Sequence, residues 1–125
     1  MNSYIKWFSI LALGFYILAV MKYPVRMIFP KTGLYRFFRS AHRPFAAAAW
    51  ICMTIHGVLV INDGRYSFLA LALFVSLTLL LILGAYNKYA KPVIKKKIIS
   101  YHRISAVFTA LLIIAHYFEM NGILI

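Results

Sequence analysis

The stretch HRPFAAAAWICMTIH, residues 42 to 56, decides how the rest of the chain is read, because a second stretch repeats its plan. That second stretch is HRISAVFTALLIIAH, residues 102 to 116. Each opens on His-Arg, runs through a mostly apolar segment and closes on a histidine fourteen positions after the first. His42, His56, His102 and His116 are the only histidines in the chain. On an α-helix, fourteen residues turn through about 1400°, four turns less about 40°, so both histidines of a stretch share one face. They stand ~21 Å apart along the axis at ~1.5 Å per residue.

Composition says what surrounds these helices. Hydrophobic residues make up 64% of the 125, against ~45–50% in soluble domains, and the mean hydropathy is +0.84. Charged residues are 13%, about half the soluble norm of ~25%. The chain is therefore expected to be an integral membrane protein, placed in a prokaryotic inner (plasma) membrane. Fourteen Lys and Arg face two acids, a net charge of +12. These cations cluster between long apolar runs, where they set topology and meet anionic lipid. The expected partner is membrane lipid, with no nucleic acid. Cys52 is the only cysteine, so no intrachain disulfide forms.

The expected fold is all-α, a four-helix transmembrane bundle forming one domain over residues 1–125, with helices at about 3–21, 41–61, 66–86 and 100–120. The first run has only Lys6 before it and no small-residue cleavage site after it, so it reads as a retained helix. Pro24 is expected to close it. Residues 22–41 mix cations with aromatics and are expected to lie at the interface, with a short amphipathic helix from Leu34. Pro44 falls in the first turn of the second helix, where its missing N–H costs little. Asn62-Asp63-Gly64 signals a turn. Ser67 to Ala85 is the longest uncharged run, and Gly84, Ala70 and Ala72 permit close helix approach. Residues 87–101 form a second basic loop broken by Pro92.

Twelve of the fourteen cations lie in the two basic connections and their flanks, with Lys6 and Arg65 on the other side. The positive-inside rule then puts both basic connections in the cytoplasm and both termini on the non-cytoplasmic side. The two histidine-bearing helices run parallel on this reading, with His42 level with His102 and His56 level with His116.

Ionisable side chains in membrane helices are costly and mark function. Neutral imidazole is a standard axial ligand of haem iron. Two like-directed helices with matched histidines can each give one ligand to each of two haems. His42 with His102 would hold a cytoplasmic-side haem, and His56 with His116 an outer one. Small side chains at Ala46, Ala49, Ala106 and Thr109 would leave room for the ring. Arg43 and Arg103 stand where propionates would emerge. No Cys-x-x-Cys-His occurs, so attachment would be non-covalent.

This pattern, over about residues 36–120, resembles the di-haem core of membrane cytochromes b. It is most similar to the ferric reductase-like transmembrane domain shared with NADPH oxidases. The resemblance implies two bis-His haems b and electron transport across the bilayer, by an electron-transfer haem protein or the membrane subunit of an oxidoreductase. The reductases continue into a flavin and nicotinamide domain. Here electrons are expected to pass to or from a separate redox partner protein or a quinone/quinol. A different class also fits the length: a small membrane transporter or anchor subunit whose histidines bind metal or carry protons. Cys52, His56, His116 and Glu119 have helix spacings suited to one Zn²⁺. That site would use only half of the repeated pattern.

Overall fold

The computed structural model describes residues 3–64 and 67–120, and helix is the only regular structure among them. The elements are α1 (Ser3–Val20), α2 (Lys22–Ile28), α3 (Gly33–Asn62), α4 (Phe68–Tyr89) and α5 (Pro92–Met120). Among the described residues, four stretches are long and apolar enough to cross a membrane: Ser3–Ile28, which joins α1 and α2, then α3, α4 and α5. The expected helix start at Tyr66, the outer cation Arg65, the tail from Asn121 and Gly122, and both termini lie outside the described residues. The chain divides into two compact units, Met1–Arg65 and Tyr66–Ile125.

In the first unit α1 packs along α3. Ile10, Leu11, Leu13, Ile17 and Leu18 of α1 remain exposed. A helix that is apolar on its open side as well as its packed side suits acyl chains, not water. Pro24 does not close this span. Met21 N–H donates to Ile17 O and Val25 N–H to Met21 O, both at 3.1 Å, so helical bonding runs past it. Pro24 sits in the first turn of α2, where helix N–H groups have no intrahelical partner to lose. The turn after α2 ends at Thr32, whose hydroxyl accepts from Tyr35 N–H at 3.4 Å and donates to Phe29 O at 2.9 Å. This caps α3 at Gly33.

The interfacial helix expected from Leu34 and the membrane helix expected from Ala41 are thus one rod of 30 residues. Pro44 consequently lies inside α3, not in its first turn. Ser40 O has no N–H four residues on to receive, because proline carries none. The rod stops where the turn signal stands. Gly64 adopts φ +77°, the left-handed conformation that glycine takes without steric cost. Gly64 N–H returns to Ile61 O at 3.0 Å and Asp63 N–H to Leu59 O at 3.1 Å.

In the second unit α4 packs along α5. Ser67 caps α4 by accepting from Ala70 N–H at 3.3 Å. Leu73, Ser76, Leu77 and Leu80 are buried, a spacing of three and four that makes one face. The expected second basic loop shrinks to Ala90 and Lys91. Lys91 O accepts from Ile94 and Lys95 N–H at 2.9 and 3.0 Å, and Pro92 opens α5. Proline is well placed there, since its N–H would have no helical acceptor. Lys95, Lys96 and Lys97 are helical because lysine is a good helix former, whatever its cost in lipid.

Candidate functional site

The imidazoles of α3 are both anchored to the main chain of α1. His42 Nδ1–H donates to Ala19 O at 2.7 Å. His56 Nδ1–H donates to Ile5 O at 2.9 Å. Fourteen residues separate the two donors on α3, and fourteen separate the two acceptors on α1. Two antiparallel helices with the same pitch must meet this way if the first contact is repeated four turns on. Ala19 lies in the last turn of α1, where helix carbonyls draw donors from outside the helix. Ile5 O lies inside the helix and uses the second lone pair of its oxygen. Ile5 and Ala19 are themselves buried, so these bonds are sheltered.

These bonds have a chemical consequence. A carbonyl can only accept, so the shared proton is on Nδ1 and Nε2 is the other ring nitrogen. In the neutral tautomer Nε2 carries a lone pair. A metal-ligating histidine generally donates its other N–H to a carbonyl or carboxylate, which fixes the tautomer and raises the basicity of the ligating nitrogen. His42 and His56 are both set up in that state.

Ala49 stands midway between them and is 1% exposed, so α3 is closely packed there. Ala46 is half-buried, and Arg43 is exposed beside His42. The Phe45 ring stacks on Phe15 of α1 with centroids 6.2 Å apart, and Phe37 meets its edge at 6.2 Å.

In the second unit the same places on α5 carry different chemistry. His102 packs on Gly84 of α4: a Cβ there would be 3.2 Å from His102 Cε1. His116 is half-buried four turns on, Ala106 is half-buried, and Arg103 is exposed next to His102. Thr109 is the midpoint, as Ala49 is in α3, and it is fully buried. Its hydroxyl donates to Ser105 O at 2.7 Å and stands 2.6 Å from Ser76 Oγ of α4. In the first unit both histidines thus meet the preceding helix, and in the second His102 and the midpoint Thr109 do. The supporting residues Ile5, Ala19 and Ser76 carry no sequence signal for this task, apart from the fourteen-residue spacing of the first two.

Among the described residues, no three of His, Cys, Asp and Glu gather as a metal ion such as zinc would require. Cys52 is a half-buried free thiol. No protein-family model, curated protein or solved structure matches this chain.

Proposed function

We propose that this chain is a b-type di-haem cytochrome that relays single electrons across a membrane. The observation that carries the reading is the pair of Nδ1–H bonds from His42 and His56 to main-chain oxygens. Both imidazoles are turned to the tautomer an axial ligand uses, at two levels four turns apart. Donor chemistry fits the group: four imidazoles in two matched pairs and, among the described residues, no cluster of three or more His, Cys, Asp or Glu, which suits the bis-His ligation of haem b.

His42 and His102 would hold the haem nearer the basic connections, and His56 and His116 the other. This pairing rests on the sequence repeat and on the orientation implied by the cations. Haem b, when bound, supplies one-electron chemistry between ferric and ferrous iron. The chain's own part is to fix the ligand tautomers, exclude water and set potentials through nearby charge. Arg43 and Arg103 are exposed beside the inner histidines and are suited to pair with propionates. A quinol or a separate redox protein would exchange electrons at the two faces, with the chain in an inner membrane and both its ends on the outer side. Ala46, Ala49, Ala106 and Thr109 supply small side chains on the two rods.

Purification in detergent tests the reading directly. The expected protein is red, with a sharp Soret band, a reduced α band and about two haems b per chain by pyridine haemochromogen assay. A colourless protein that carries zinc, or no cofactor after expression with added haem precursor, overturns it.

A further inference from the structure

We infer that Gly84 is the positioning residue for His102, setting the direction in which its imidazole points. This rests on the haem reading for its consequence at the inner site, but the seat itself is a property of α4 and α5. A Cβ placed on Gly84 would lie 3.2 Å from His102 Cε1 and 3.6 Å from Nδ1, and no other ring atom comes within 4 Å of it. The Nδ1–Cε1 edge therefore rests on the glycine, and Nε2 is held away from it.

Among the described glycines, Gly84 is singular in this respect. Cβ atoms built on Gly14, Gly33, Gly57 and Gly64 meet nothing within 4 Å. A glycine within a helix costs ~1 kcal/mol relative to alanine. At Gly14 and Gly57 no neighbour explains that cost, whereas at Gly84 the space is filled by a ring. A contact of 3.2 Å is too close for an ordinary side chain, so any substitution must push His102 aside by a few tenths of an ångström or more. His42 donates a hydrogen bond to Ala19 O, and His102 is seated against Gly84 of α4. The plane of an axial imidazole and the strain on its metal bond tune the spectrum and potential of the iron, so Gly84 becomes a determinant of the inner haem alone.

The test is made on the full chain. Gly84→Ala and Gly84→Leu are compared with Gly57→Ala and Gly14→Ala. Ring ¹⁵N signals of His102 in the haem-free protein in micelles, assigned with His102→Asn, are expected to shift in Gly84→Ala and to stay put in the other two. In the haem-loaded protein, Gly84→Ala is expected to move one of two low-spin ferric EPR signals and leave the other. Gly84→Leu is expected to fall from two haems per chain to one. A Gly84→Ala protein whose His102 ring signals match wild type overturns the inference, with or without haem. Absence of haem from wild type would overturn the proposed function instead, and the ring signals would still decide the role of Gly84.

Discussion

Ser76 and Thr109 join α4 to α5 through a 2.6 Å hydroxyl contact at the midpoint between the histidines of α5. Thr109 is already donating to Ser105 O at 2.7 Å, so the proton between the two hydroxyls comes from Ser76. Both residues are buried, with no polar alternative from solvent. Interhelical hydrogen bonds in membrane proteins average ~0.6 kcal/mol and reach ~1.7 kcal/mol. A double-mutant cycle of Ser76→Ala and Thr109→Val, read by unfolding in SDS, is expected to give a coupling of that order. Additive single-mutant losses would mean that the two hydroxyls are neighbours and not partners.

Ligand removal is expected to act one level at a time. His56→Ala should leave one haem per chain, and so should His42→Ala, with different reduction potentials for the haem retained. The double variant should be colourless. The haem kept by His56→Ala would sit near most of the cations on the proposed arrangement, so raising ionic strength is expected to shift its potential more. Loss of both haems from each single variant, with the chain still folded, would contradict two separate levels.

The division between what composition could and could not say is visible at particular residues. Long uncharged runs revealed the spans, because lipid solubility depends on side-chain content alone. Pro92 to Ile99, expected as a basic loop, is helical, since lysine is a good helix former. The helix from Leu34 is legible in the sequence, but its continuity with the membrane helix is not. Pro44 was misplaced for the same reason: with α3 starting at Gly33, it is an interior residue. The histidines were legible because their spacing matches the helix repeat. Their acceptors Ile5 and Ala19 were not, because every residue has a carbonyl and only the helix register selects two of them. Gly84 could be read as a place of close approach, but the group approaching it could not.

Topology offers a prediction independent of haem. Twelve of the fourteen cations belong to the two basic connections and their flanks. Single cysteines at Thr32 and Ala90, in a Cys52→Ser background, are expected to react with a membrane-impermeant thiol reagent only after the cytoplasmic side is opened. A cysteine at Gly64 should react from outside in intact cells. Replacing Lys95, Lys96 and Lys97 by glutamine is expected to produce a mixed orientation. Labelling of Thr32 and Ala90 positions from outside would invert the proposed arrangement.

The shared fourteen-residue register of α1 and α3 can be broken on one side only. Inserting one alanine between Leu13 and Gly14 leaves Ala19 in place against His42. It rotates Ile5 by about 100° and moves it ~1.5 Å along the axis. Ile5 O then no longer faces His56, and the proton on that ring loses its fixed acceptor. The haem ligated by His56 is expected to shift in potential and EPR signature, because its ligand becomes less basic. The haem ligated by His42 should keep both. An insertion between Ser3 and Tyr4, upstream of Ile5, moves neither acceptor and serves as the control. If the Leu13–Gly14 insertion disturbs the two haems equally, α1 acts only as packing. The main-chain bonds at Ala19 and Ile5 would then have no separate influence on their own histidines.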